Sequence, residues 1–275
     1  MSWWMMKKSF AEAGFHLPGR FCQTPGVDKP TVFIDNRTCF LPSIHEKDVD
    51  MRFLFLHGLA GDPDDWEHIM AELPGDRVLA PRIPYFDSPY NCLDELAGHV
   101  LDSLPPDWPC RETVVVGNSL GGTLALILGE QAQRLVLVAS HLPASRYTPT
   151  RGTGRGSCFF HRELERIVHN VHVLDADKIA GYRKKWRELI MSRARVRRLR
   201  AIKKIAATFP VRRYWELLQH KITFVCGSHD RISPVNEFQE LHGTLPGSRL
   251  HILPDCGHAV PLEKPAALLA MIRQP

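Results

Sequence analysis

The stretch VVVGNSLGGTLAL, residues 114–126, decides how this chain is read. Three valines precede Gly117-Asn118-Ser119-Leu120-Gly121, and an apolar run of helical character follows. β-Branched side chains suit an extended strand. A serine at a strand-to-helix junction sits on a sharp turn that lifts its hydroxyl clear of the sheet. Glycines two residues before and two after relieve the crowding that the turn creates. A serine hydroxyl is a weak nucleophile until a base removes its proton. Such a serine therefore needs a histidine, and a carboxylate to orient it, elsewhere in the chain.

Working outward, strands and helices alternate. Strands are expected at 31–34, 38–41, 51–56, 77–80, 113–116, 134–139, 222–226 and 249–253, with Asp35-Asn36 as a hairpin turn between the first two. Helices are expected at 62–73, opened by Asp62-Pro63-Asp64-Asp65, and at 91–104, stopped by Pro105-Pro106. Others are expected at 120–130, 235–241 and after Pro265. Such alternation implies a mainly parallel sheet with helices on both faces, the α/β class. Residues 1–30, punctuated by Pro18, Pro25 and Pro30, are expected to be an irregular extension.

The acid and the base have candidates after two late strands. KITFVC leads into Gly227-Ser228-His229-Asp230, and RLHILP leads into Asp255-Cys256-Gly257-His258. Chemistry in α/β sheets collects at the carboxyl ends of strands. Ser119, Asp230 and His258 are thus expected at one sheet edge. Asp255 is a rival acid, but it is too close to His258 in sequence to approach its ring easily. Cys256 is expected to pack rather than to react.

At these residues the chain resembles the α/β-hydrolase superfamily. The shared features are His57-Gly58 after the central strand, the GNSLGG elbow, the G-S-x-D acid turn, and Gly-His followed by Pro261, Glu263 and Pro265. The resemblance implies an α/β-hydrolase fold and a Ser119-Asp230-His258 triad. It also implies an oxyanion hole from the backbone N–H groups of Leu59 and Leu120. By the same resemblance His57 is structural and holds the oxyanion loop. No metal or organic cofactor is implied.

Net charge is +5, unevenly spread. Residues 143–219 hold 19 Lys and Arg against 6 Asp and Glu. Within this block 144–157 reads as loop and 162–170 as helix. Tyr182, Trp186, Leu189, Val196, Leu199, Ile202 and Ile205 then recur at helical spacing over 177–208. Two helices are expected there, breaking near Ser192. The domain plan is a core at 31–142 and 220–275, with an inserted basic helical cap at 143–219.

A positive lid attracts anionic partners. An acidic acyl carrier protein, a coenzyme A or other anionic small molecule, and a negatively charged membrane surface all fit. Nucleic acid does not, because the block lacks an interleaved aromatic platform. The layout is similar to that of the pimeloyl-acyl-carrier-protein methyl ester carboxylesterases of biotin synthesis, whose cap arginines meet the carrier. Asn118 stands where those esterases more often carry tryptophan. It is also similar to the menaquinone-pathway synthase that eliminates pyruvate with the same triad.

The expectation is a serine carboxylesterase or thioesterase forming an acyl-enzyme on Ser119, acting on a small ester or thioester, an acyl-carrier-linked substrate preferred. The alternative is a triad-dependent lyase or C–C bond hydrolase acting on a small anionic metabolite. Seven cysteines without a C-x-x-C pair argue against a disulfide scaffold or structural zinc. With no apolar run near the length of a membrane helix and no secretory signal pattern at MSWWMMKK, a cytoplasmic location is expected.

Overall fold

The computed structural model describes residues 31–33, 51–87, 89–140, 164 and 166–274. The strands are β1 (Thr31–Phe33), β2 (Arg52–Leu56), β3 (Val78–Leu79), β4 (Thr113–Asn118), β5 (Arg134–Val138), β6 (Ile222–Gly227) and β7 (Arg249–Leu253). They form one sheet in the order β1-β7-β6-β5-β4-β2-β3, every pairing parallel. β1, the first strand of the hairpin expected around Asp35-Asn36, pairs in parallel with β7 at the sheet edge, and the Asp35-Asn36 turn lies outside the described residues. Residues 38–41 lie outside the described residues, as do the 1–30 extension and the 144–157 loop.

The helices are α1 (Glu67–Met70), α2 (Leu93–Asp102), α3 (Leu120–Leu128), α4 (Ala176–Met191), α5 (Arg193–Ala207), α6 (Arg212–Leu218), α7 (Val235–Thr244), α8 (Val260–Glu263) and α9 (Pro265–Arg273). No described helix is long and apolar enough to cross a membrane. A 3-10 turn at Pro63–Trp66 precedes α1, and Asp62 closes a capping box with Asp65. Ser192 separates α4 from α5 as expected, its hydroxyl accepting the Arg195 amide at 3.2 Å. Of the helix expected at 162–170, Leu164, Arg166 and Ile167 are helical. The short α6 was not expected. It lies beyond Pro210, and Tyr214, Trp215 and Leu218 are its buried side.

Successive strand residues point to opposite faces, and the core divides accordingly. Leu54, Leu56, Val115, Leu135, Leu137 and Phe224 pack with Leu96 of α2, Leu124 of α3 and Phe238 of α7. Ile202 of α5 and Trp215 of α6 belong to that same cluster. Phe53, Phe55, Val114, Val116, Val136 and Val225 pack with Ile69 of α1 and Leu268 of α9 on the other face. Both faces of the central strands are therefore dry, which is why they read as unbroken apolar runs. The parallel register places Leu56, Gly117, Leu137 and Phe224 side by side, so β2, β4, β5 and β6 end at one edge.

Candidate active site

Ser119 stands where β4 meets α3, with φ 53° and ψ −120°. Positive φ is costly for any residue with a Cβ, and such strain collects at functional sites. The surroundings hold it in place. The Ser119 amide donates to Val138 O at 2.9 Å, and the Gly122 amide to Ser119 O at 3.0 Å. A Cβ on Gly117 would run into the backbone of Gly121 and reach Gly122 Cα at 2.6 Å. One on Gly121 would come within 2.6 Å of the His57 carbonyl oxygen. The glycines are thus required by backbone approach on two sides. Gly58 is similarly close, its Cβ position 3.1 Å from Ser119 Cβ.

Asp230 and His258 meet as the spacing predicts. His258 Nδ1 lies 2.8 Å from Asp230 Oδ2, and the carboxylate is fully buried. Asp230 Oδ1 accepts the amides of Ile232 at 2.7 Å and Ser233 at 2.9 Å. These bonds fix the plane of the carboxyl group. A carboxylate acceptor requires the proton on Nδ1, so Nε2 presents its lone pair outward. Asp255, the rival acid, is exposed, with φ 49°.

The backbone of His258 is held from two directions. Its amide donates to Ile167 O at 2.8 Å. The Asn118 side-chain amide reaches His258 O at 3.4 Å and Val138 O at 3.2 Å. The residue before the serine thus braces the histidine loop, a role its neighbours in sequence do not suggest. Glu263 is the second hidden brace. Its Oε1 accepts the Gly257 amide at 3.0 Å, and Oε2 accepts those of His169 at 2.9 Å and Asn170 at 3.1 Å. Burial pushes the Glu263 carboxyl up, and the three amides pull against that rise.

His57 is buried and structural. The Ile83 amide donates to its Nε2 at 2.9 Å, which leaves the proton on Nδ1, 2.9 Å from Gly58 O. Burial lowers its pKa to about 4, so the ring stays neutral and its lone pair is already used. Tyr85 Oη donates to His57 O at 2.8 Å. This network fixes the segment carrying Leu59. Leu120 opens α3, whose first amides have no acceptor within the helix. Cys256 is buried and burial raises its thiol pKa, so it packs.

The basic segment reaches the same edge. Lys185 of α4 pairs with Asp62, and Lys178 with Glu67 at 2.8 Å. Arg198 of α5 lies 3.9 Å over the Tyr90 ring and donates to Tyr90 O at 3.1 Å. Leu164, Val168 and Leu174 pack on Ala259 and Leu262, beside His258.

A parallel α/β sheet with a serine elbow and a buried carboxylate–imidazole pair at one edge is the architecture of hydrolytic enzymes. Residues 53–271 match the model of the alpha/beta hydrolase family, and the chain belongs to that family. Over 172 residues it is 27% identical to an uncharacterized hydrolase, YugF, of Bacillus subtilis (strain 168). That match covers 56% of this chain and 62% of the relative, less than two thirds of its length. Among solved structures, it is similar to a thermophilic esterase from Thermogutta terrifontis, with TM-score 0.62, 21% identity, and 81% and 88% of the two chains covered. It is also similar to the meta-cleavage product hydrolase CumD from Pseudomonas fluorescens IP01, with TM-score 0.60, 18% identity, and 81% and 89% covered. At these identities the likeness is one of fold.

Proposed function

We propose that this chain is a serine hydrolase that cleaves carboxylic esters or thioesters through an acyl-enzyme on Ser119. The observation behind this is the pairing of a strained Ser119 (φ 53°) with a buried Asp230–His258 bond of 2.8 Å at one sheet edge. Ser119 Oγ attacks the carbonyl carbon. His258 Nε2 takes the hydroxyl proton and gives it to the leaving alcohol or thiol. Asp230 holds the tautomer and stabilises the imidazolium. The Leu59 and Leu120 amides stabilise the oxyanion, donors of this kind being worth ~10²–10³ in rate each. Water, activated by the same histidine, then attacks the acyl carbon and frees Ser119.

The helices between β5 and β6 act as a cap. Support comes from the Lys185–Asp62 pair beside the oxyanion loop. Arg193, Arg195, Arg197, Arg200, Lys203 and Lys204 of α5 are exposed, and an acyl group borne on an acidic carrier is the substrate that such a face suits. The meta-cleavage product hydrolase among the structural neighbours favours a second reading, C–C bond hydrolysis by the same three residues.

The test is hydrolysis of p-nitrophenyl esters from acetate to long chains, by wild type and Ser119→Ala in parallel. Ester cleavage that disappears with the serine hydroxyl supports the proposal, and the chain-length optimum sizes the pocket. A folded protein inactive on every ester, yet active on a vinylogous diketone, moves the assignment to the second reading. Carrier-linked turnover that ignores added salt removes the case for an acidic carrier.

A further inference from the structure

Three segments outside the catalytic trio converge on the same rim. His169 comes from the chain before α4, His229 from the turn after β6, and Asp255 from the turn after β7. One ligand atom from each lies within 4.8 Å of the others, and all three side chains are exposed. The His169 and His229 rings are stacked, with centroids 3.8 Å apart and planes 10° from parallel.

We infer that His169, His229 and Asp255 form a binding site for one divalent first-row transition-metal ion of the zinc type. The donor set argues for this class: two imidazole nitrogens and one carboxylate suit zinc, cobalt, nickel or copper, whereas calcium and magnesium prefer oxygen alone. Three protein ligands leave one tetrahedral position for water.

The backbone beneath the site is anchored. The His229 amide donates to Cys256 O at 2.9 Å, and the His169 amide to the buried Glu263 carboxylate at 2.9 Å. A Cβ on Gly257 would fall 2.6 Å from the His169 backbone nitrogen, so a glycine is needed for this approach of the two main chains. Ser228 Oγ lies 2.9 Å from His229 Nδ1. A bond there orients the ring and leaves Nε2 as the ligand atom, the usual arrangement for a metal-binding histidine. Metal–nitrogen distances of ~2.0–2.1 Å need ligand atoms about 3.3 Å apart, with converging lone pairs. Binding requires the two rings to turn out of their near-parallel planes, a motion open to exposed side chains. A bound ion would cross-link the β6 turn, the β7 turn and the segment whose Ile167 carbonyl holds His258.

The test uses the metal-free full-length chain and does not depend on esterase activity. Zinc chloride is titrated calorimetrically in a non-coordinating buffer, and cobalt(II) is followed by visible absorption. One saturable equivalent, with a cobalt spectrum of tetrahedral intensity, is expected. His169→Asn and His229→Asn are each expected to weaken binding by about tenfold or more. His68→Asn, which alters an exposed histidine elsewhere, is expected to bind as wild type does. Circular dichroism checks that each variant is folded. Asp255→Asn reads the same loss of a ligand if one histidine variant is not folded. Absence of a saturable equivalent below ~1 mM, weaker than designed-for-purpose zinc sites by orders of magnitude, overturns the inference. So does an equivalent that survives loss of both histidines.

Discussion

Glu263 Oε1 accepts the amide of Gly257 at 3.0 Å, one residue before His258. Its other oxygen holds the amides of His169 and Asn170. One buried carboxylate therefore fastens the histidine loop to the chain that leads into α4. Glutamine at this position has a single acceptor oxygen and turns an NH₂ toward at least one backbone N–H. Glu263→Gln is expected to lower stability by about 2–3 kcal/mol, the range for hydrogen bonds to a charged group lost in a buried site. It is also expected to lower kcat more than it raises KM, because it loosens His258. Urea denaturation and steady-state kinetics on one ester check both. Unchanged stability would show that the three amides find other acceptors.

Asp230→Asn tests the orienting acid. The carboxamide preserves shape but offers its NH₂ or a weaker acceptor to His258 Nδ1, disfavouring the required tautomer. A loss of ~10⁴ in kcat is expected, with little change in melting temperature relative to that loss. A loss below about tenfold would assign the orienting role elsewhere.

Two glycines give opposite outcomes on substitution by alanine. Gly121→Ala drives a methyl group toward the carbonyls of Leu56 and His57. It is expected to destabilise by about 2–3 kcal/mol through overpacking, and to abolish turnover by moving the elbow. Gly98 lies inside α2 with nothing within 4 Å of its Cβ position. Gly98→Ala is expected to stabilise by about 0.5–1 kcal/mol, from helix propensity and a less free unfolded chain. Thermal melts of both variants decide the pair.

The pH dependence of stability contains two opposed contributions between pH 4 and 6.5. His57 is lowered to about 4 by burial, so its contribution is complete above its unfolded pKa near 6.5 and is lost as pH falls toward 4. Asp65 is raised to about 6, chiefly by burial. A raised carboxyl binds its proton more tightly in the folded state, so its contribution is present at low pH and is lost as pH rises from about 4 to 6. Asp65→Asn removes the second contribution and leaves the first. The variant is expected to gain stability more steeply with pH across this window, the difference totalling roughly 3 kcal/mol at 1.36 kcal/mol per unit. Urea titrations at pH 4, 5, 6 and 7 measure it. Parallel profiles for the two proteins would contradict the burial of an unionised Asp65.

Much of the site was legible from local pattern. Gly117 and Gly121 around Ser119 report backbone approach, and a Cβ at either position meets main chain. Asp230 and His258 were legible because each follows a buried strand by a short turn, and parallel strands end at one edge. The break at Ser192 was legible because a serine hydroxyl that caps a helix leaves a sequence signal. The parallel pairing of β1 with β7 was not legible, because its partner strand lies more than two hundred residues away and no local signal names it.

What the sequence by itself determined is the alternation of buried strands and helices, the glycine-flanked turn at Ser119, and the placement of Asp230 and His258 after two late strands. These depend on side-chain type and spacing over a few residues, where sterics and hydrogen bonding act locally. The tertiary structure alone decided which groups brace them. Ile83 donating to His57, Asn118 reaching His258, Glu263 tying Gly257 to His169, and Lys185 on Asp62 all join residues distant in the chain. Their partners are chosen by how the helices and loops pack on the sheet, and a polar side chain carries no mark of which distant backbone amide or carboxylate will satisfy it.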